Sequence, residues 1–226
     1  MALWRLLVDG RPRLARGPAA AGPAELLAPA LPDGLFQVVP GSAATATALI
    51  ERADCVSFTG SVEVGRLVAA AATARGIPCQ AEMGGLNASI VLPDADPERA
   101  AAIIAGAAMA YAGQKCTATS RAVVVGDPAP FTEALTAAVR GLTVGDPADE
   151  GTVVGPAITE QAMRRVTQAA EEAVAGGGRL LTGGDAVDRD GWWVAPTLVD
   201  GLAPDARLAQ EEVFGCLLYT SPSPRD

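Results

Sequence analysis

The stretch YAGQKCTATSR, Tyr111 to Arg121, sets one cysteine among small polar residues, a glycine and the chain's only lysine, Lys115. A thiolate adds readily to a carbonyl carbon, and a thioester hydrolyses more easily than an ester, so Cys116 in such a loop is a candidate nucleophile. The chain carries 17 Lys and Arg, 26 Asp and Glu, and no histidine. Relays in which an imidazole activates a cysteine or a serine are therefore closed to it. The base for Cys116 is then a carboxylate, Lys115, or a water relayed by one of them. The same lack of histidine argues against a metal centre. The cysteines, Cys55, Cys79, Cys116 and Cys216, also lie too far apart for paired C-x-x-C ligands.

Two further stretches could do chemistry. In FTGSVEVG, residues 58–65, glycines between a strand and a helix let backbone approach an anion at the helix N-terminus, where a pyrophosphate could sit. The pattern is neither G-x-G-x-x-G nor a Walker A sequence, and Gly60 and Gly65 equally suit a tight turn and close helix packing. In AEMGG, Glu82 is either a solvated strand-end carboxylate or a base, and Gly84 and Gly85 behind it suggest that something passes close to the backbone. Cys55 and Cys79, inside apolar runs, read as buried small hydrophobes.

Positioning these residues calls for alternating strands and helices. DCVSF reads as a strand, TGS as a turn, and VEVGRLVAAAATARG as a helix with Val64, Leu67, Val68, Ala71 and Arg75 at helical spacing. PCQAEM and NASIVL read as short strands. Asp96-Pro97 opens a second helix whose expected apolar face is Ala100, Ile103, Ile104, Ala107 and Tyr111, ending at Gly113. SRAVVV is a strand and PFTEALTAAVRGL a helix, while TEQAMRRVTQAAEEAVAGGG is a helix capped by Thr159 and stopped by Gly176 to Gly178. Such alternation predicts an α/β fold with a largely parallel sheet. Residues 11–33, rich in Pro, Ala and Gly, read as a lead-in without period.

With 226 residues and 50% hydrophobic content the chain can bury a substantial core. A net charge of -9 argues against nucleic-acid or anionic-membrane partners, which attract clustered basic residues. The opening MALWRLLVDG lacks an h-region of signal length and no apolar run reaches the length of a membrane span, so a soluble, cytoplasmic protein with reduced cysteines is expected.

Taken together, FTGSVEVGR, AEMGGLNASIVLPDAD, YAGQKCTATSR, Gly145 to Pro147, Gly155-Pro156, Ala195 to Thr197 and EEVFG at Glu211 to Gly215 closely resemble the aldehyde dehydrogenase superfamily in order and spacing. The resemblance implies that Cys116 attacks an aldehyde carbonyl to give a thiohemiacetal, which is oxidised to a thioester with NAD or NADP as acceptor. It implies that Glu82 is the general base for the thiol or the deacylating water. It places the cofactor pyrophosphate at Gly60, Ser61 and Gly65, with Met83 beside the cofactor, and the nicotinamide ribose and ring at Glu212 and Phe214. Lys115 keeps a surface or loop role. Two Rossmann-like α/β domains are implied, each incomplete. Residues 1–83 would be the later part of the cofactor-binding domain and residues 84–215 the catalytic domain, with Cys116 facing Glu82 across a cleft.

Departures from the family pattern bound the expectation. Family members run to more than twice this length, so the chain reads as an internal segment. The asparagine that helps the cysteine N–H hold an oxyanion, and a lysine-containing motif for the adenosine ribose, have no equivalent in residues 1–23. After EEVFG the chain continues as CLLYTSPSPRD rather than with proline and a family strand, so residues 216–226 read as a non-native tail and Cys216 as without function. A small aldehyde is the expected substrate and a homo-oligomer the expected parent. Two other readings stay open: an acylating or acyl-phosphate-reducing relative, against which Glu82 counts, and a catalytically silent binding or scaffold protein of the same fold.

Overall fold

Strand formation begins where β-branched and aromatic residues alternate with polar ones. In β2 (Val56–Gly60) Val56 and Phe58 point inward, buried to 3% and 0% exposure, while Ser57 and Thr59 face outward. The computed structural model describes residues 6–9, 26, 28–32, 34–39 and 41–222, so most of the lead-in at 11–33 and residues 223–226 lie outside the described residues. The chain divides into two compact units, Met1–Gly84 and Gly85–Asp226.

In the first unit β2 is flanked on both sides by parallel partners, β1 (Leu6–Asp9) and β3 (Cys79–Met83), giving the order β1-β2-β3. A helix α1 (Ala43–Ile50) precedes β2, and α2 (Val62–Ala74) crosses between β2 and β3. Ser61 caps α2 by accepting a hydrogen bond from the Val64 N–H at 3.3 Å. At the other end the Arg75 guanidinium donates to the carbonyls of Ile50 and Ala53, tying α2 to the loop after α1. The core is Ile50, Ala53, Val56, Phe58, Val68 and Ala72.

The face of α2 differs from the expected one. Gly65, Val68 and Ala72 are buried, whereas Leu67 is 67% exposed and Val64 is exposed as well. The cause is close approach: a Cβ at Gly65 would lie 2.4 Å from Met83 Sδ, so the helix seats its smallest side chains on the sheet. Cys55 and Cys79 are half-buried rather than buried, with Cys79 packed at the margin of the core.

The second unit carries a five-stranded sheet in the order β4-β5-β8-β7-β6. Its strands are β4 (Asn87–Val91), β5 (Thr119–Val124), β6 (Arg179–Thr182), β7 (Thr197–Asp200) and β8 (Leu217–Pro222). All pairings are parallel except β6 with β7. Helix α3 (Pro97–Met109) is capped by Asp96, whose carboxylate accepts from the Arg99 N–H, and packs on α4 (Ala129–Arg140). Helix α5 (Glu160–Ala175) is capped by Thr159 through the Ala162 N–H, and a short α6 (Arg207–Gln210) precedes β8.

On α3 the buried residues are Ala101, Ile104, Ala105, Ala108 and Met109, one step round from the expected stripe, and Ile103 and Tyr111 are 62% and 73% exposed. An alanine-rich helix is apolar on nearly every side, so its period does not select the buried face. The segment from 216, read from the sequence as a non-native tail, takes part in the second sheet through its described residues. Leu217, Leu218, Tyr219 and Thr220 are buried between β5 and β7, because an apolar, strand-forming run fills the gap that those two strands leave. Among the described residues no helix is long and apolar enough to cross a membrane.

Candidate active site

In the first unit Gly60, Ser61, Gly65, Glu82 and Met83 gather at the C-terminal ends of β2 and β3. Gly60 pairs in register with Met83, and Thr59 with Glu82. Ser61 starts the thirteen-residue α2, so its first backbone N–H groups open at the sheet edge where parallel α/β folds take anionic ligands. The glycines themselves have a packing reason. A Cβ at Gly60 would meet the Phe58 ring at 2.5 Å, and one at Gly65 would meet Met83. Glu82 is exposed on the same face of β3 as Gln80, whose amide donates to Glu82 Oε1 at 3.1 Å.

In the second unit Cys116 sits exposed at the tip of a loop that begins in an uncommon conformation. Helix α3 ends at Met109. Tyr111 (φ 57°) and Ala112 (φ 54°) then adopt left-handed backbone, followed by Gly113 at φ 67°. Left-handed conformations cost non-glycine residues roughly 1 kcal/mol or more each, so the surroundings must hold them. Ala112 is buried, the Tyr111 ring lies 5.2 Å from Lys115 Nζ, and Gln114 closes the turn through its N–H to the Tyr111 carbonyl at 3.1 Å. Lys115 lies in the loop itself, over the Tyr111 ring.

The Gln114 side chain fastens the loop to a second segment. Its Nε2 donates to the carbonyls of Tyr111 and Pro156, and its Oε1 accepts from the Ile158 N–H at 2.8 Å. Beyond it, the Ala118 N–H donates to the Lys115 carbonyl at 3.1 Å, making a turn with Cys116 and Thr117 as its central residues. Asn87 Nδ2 donates to the Cys116 carbonyl at 2.7 Å and to the Ala118 carbonyl at 2.9 Å. Since C=O and N–H are antiparallel in a trans peptide, the Cys116 N–H points away from the held Lys115 carbonyl, and it has no acceptor among the described residues. An accessible thiol beside an open backbone donor is an arrangement that can attack a carbonyl and receive the resulting negative oxygen. Asn87 and Gln114 were not singled out from the sequence. Asn87 lies 29 residues from Cys116, and no local pattern signals that pairing.

The remaining two expected residues follow α6. Glu212 Oε1 accepts from the Gly85 N–H at 3.2 Å, and Phe214 is partly exposed. No atom crowds Gly85, where a Cβ would meet open space, so its N–H contact with Glu212 and not backbone crowding is what the structure shows there. Burial pushes the Glu212 carboxyl above its ordinary range, opposed by the Gly85 hydrogen bond. A carboxyl raised in the folded state adds stability below the unfolded carboxylate range, and that contribution is lost as pH rises through the folded value. Glu212→Gln keeps an oxygen for Gly85 and carries no charge. It should therefore melt higher than the parent at pH 7 to 8, with the gap closing toward pH ~4, below the unfolded value. Melting curves by circular dichroism across that range check it; a gap that widened toward acid would contradict the sign.

Cys216 is buried, with its Sγ 3.7 Å from the Val194 carbonyl, and burial pushes its thiol up to about 12. It is inert as a nucleophile near neutrality. Among the described residues no cluster of Cys, Asp and Glu could hold a metal ion.

Comparison with known proteins adds an independent line. A family model described as the aldehyde dehydrogenase family matches residues 18–223. An aldehyde dehydrogenase of Didymella fabae is 40% identical over 204 residues, covering 84% of this chain and 40% of that protein. The acylating, mitochondrial methylmalonate-semialdehyde dehydrogenase of Arabidopsis thaliana is 34% identical over 194 residues, covering 83% of this chain and 32% of its own length. The crystal structure of methylmalonate-semialdehyde dehydrogenase from Oceanimonas doudoroffii superposes with a TM-score of 0.87 at 34% identity, over 96% of this chain and 46% of the other. The chain thus spans less than half the length of these relatives.

Proposed function

Because the chain belongs to the aldehyde dehydrogenase family, we propose that the whole protein oxidises an aldehyde to a carboxylate, with Cys116 as nucleophile and Glu82 as general base. The observation that carries the reading is the Cys116 loop. Its thiol is exposed, its flanking carbonyls are held by Ala118 and Asn87, and its own N–H is open to an oxyanion. Cys116 Sγ adds to the aldehyde carbon to form a thiohemiacetal, and the Cys116 N–H donates to the oxygen that becomes negative. NAD or NADP, when bound, supplies the two-electron acceptor that turns the adduct into a thioester. Glu82 then takes a proton from the water that attacks the thioester carbon, releasing the carboxylate and the free thiol.

Within the first unit, the end of β2 and the open start of α2 fit the pyrophosphate of a dinucleotide. The open N-terminus of α2 at the end of β2, with Gly60 and Ser61, would hold the pyrophosphate, Gly65 and Met83 set how close α2 lies, and Glu212 and Phe214 would meet the nicotinamide ribose and ring. A small aldehyde is the partner proposed, in a cytoplasmic homo-oligomer. The net charge of -9 speaks against nucleic acid or an anionic membrane. A second reading, an acylating enzyme in which a thiol rather than water takes the acyl group, is favoured by the acylating relative from Arabidopsis and opposed by Glu82.

Glu82→Gln separates these. If water is the acceptor, the variant should release one equivalent of reduced nicotinamide in a burst and then turn over about a hundredfold more slowly than the parent. Stopped-flow absorbance at the reduced-nicotinamide band measures it. Parent-like steady-state turnover in the variant, or turnover that requires an added thiol acceptor, would remove Glu82 from hydrolysis.

A further inference from the structure

Asn87 opens β4 at a point where the ladder to β5 slips. It faces Thr119 while Ala88 faces Arg121, so Ser120 is the extra residue of a bulge. Ser120 Oγ donates back to the Asn87 carbonyl at 3.3 Å, and Ser89 Oγ and Thr119 Oγ1 are 3.1 Å apart one step along, so the backbone around Asn87 is fixed. From that base its amide reaches two carbonyls, those of Cys116 and Ala118. Two carbonyl partners settle the amide's orientation, since only its NH2 end can donate to both.

We infer that Asn87 is a positioning residue for Cys116: its side chain locks the peptide after the cysteine and so sets where the thiol and the adjoining N–H groups point. The inference rests on the proposed role of Cys116 only for its catalytic meaning; the geometry stands without it. Of the two peptides flanking Cys116, the preceding one is held by the Ala118 N–H on the Lys115 carbonyl, and the following one has only Asn87. Without that donor the Cys116–Thr117 peptide, the central one of the turn, is restrained only by the Ala118–Lys115 closure, and the exposed thiol shares the added freedom of its loop. A bulged strand end is a rigid place from which to aim such a side chain, more so than the loop itself.

The test uses the whole protein carrying Asn87→Ala or Asn87→Asp. Aspartate keeps the shape and loses the donor, and at neutral pH it turns a negative oxygen toward two carbonyls. The readouts are the rate of iodoacetamide alkylation at Cys116, with Cys55 and Cys79 as controls in the same digest, and hydrogen exchange over residues 115–118 followed by mass spectrometry. We expect exchange in that segment to rise about tenfold in both variants, the order of one lost hydrogen bond to a carbonyl. We expect the Cys116 rate to change by at least about threefold, with aspartate no milder than alanine, while Cys55, Cys79 and the melting temperature stay put. Parent-like behaviour of Asn87→Asp with only Asn87→Ala affected would mean that Asn87 fills space, and would overturn the inference. So would a uniform rise in all three cysteines with a lower melting temperature. Neither readout involves aldehyde oxidation, so loss of the dehydrogenase reading leaves this result standing, and the reverse also holds.

Discussion

Cys116→Ser should abolish aldehyde oxidation in the whole protein, by ~10³-fold or more in kcat, while leaving cofactor affinity unchanged. A serine hydroxyl at neutral pH is a poor nucleophile unless a base takes its proton, and these 226 residues, without histidine, offer no imidazole to do so. Among the described residues no other cysteine can stand in. Cys216 is buried with its thiol pushed up to about 12, and Cys55 and Cys79 are half-buried in the first unit. Steady-state turnover together with a cofactor titration by fluorescence measures both halves of the expectation. Wild-type turnover in Cys116→Ser would end the thiohemiacetal mechanism, and so would inactivating alkylation that fell on Cys55 or Cys79 instead.

Gly113→Ala should be a strongly damaging conservative change in the second unit. Gly113 stands at φ +67°, and a Cβ there would lie 2.1 Å from the Gly215 carbonyl oxygen. Backbone, not a flexible side chain, is what it would strike. Relief would have to shift residues 215 and 216, where the Cys216 carbonyl accepts from the Thr197 N–H at 3.0 Å, and so would disturb the β7–β8 pairing. The expected loss is about 3–5 kcal/mol, against a typical total of 5–15 for a domain. Gly201 provides the control: it has the same φ of +67° and open space around its Cβ position. Gly201→Ala should therefore cost only the left-handed conformation, ~1 kcal/mol. Urea denaturation of both variants measures the difference, and equal losses would show that backbone conformation, rather than the contact with Gly215, governs Gly113. Because Gly113 ends the left-handed turn before Cys116, its variant should also change alkylation of that thiol, whereas Gly201→Ala should not.

Local chemistry was what the sequence by itself determined. Asp96 and Thr159 cap the helices that the sequence has them open, because an N-cap oxygen bonds an N–H only three residues away; Ser61, read as part of a turn, caps α2 in the same way. Val56 and Phe58 pointed inward because a period of two needs no knowledge of partners. The family motifs likewise marked Cys116 as the candidate nucleophile without a structure, and the absence of histidine narrowed the choice of base.

Tertiary structure decided everything that rests on partners distant along the chain. Which face of α2 and α3 is buried depends on how closely each helix approaches its sheet, and alanine on all sides leaves the sequence silent on that. Leu67 and Ile103 therefore lie exposed where a stripe was expected. In the left-handed turn Tyr111-Ala112-Gly113 only the last residue is a glycine; Tyr111 and Ala112 adopt that conformation because Gln114, Lys115 and the buried surface around Ala112 hold it against its intrinsic cost. Whether residues 217–222 join the sheet is a question of the gap between β5 and β7, which no window of local sequence contains. The hold on Cys116 is of the same kind. Asn87 reaches its carbonyl across 29 residues, through a bulge that forms only when β4 and β5 pair, so this contact with the Cys116 loop is visible only once the sheet has closed.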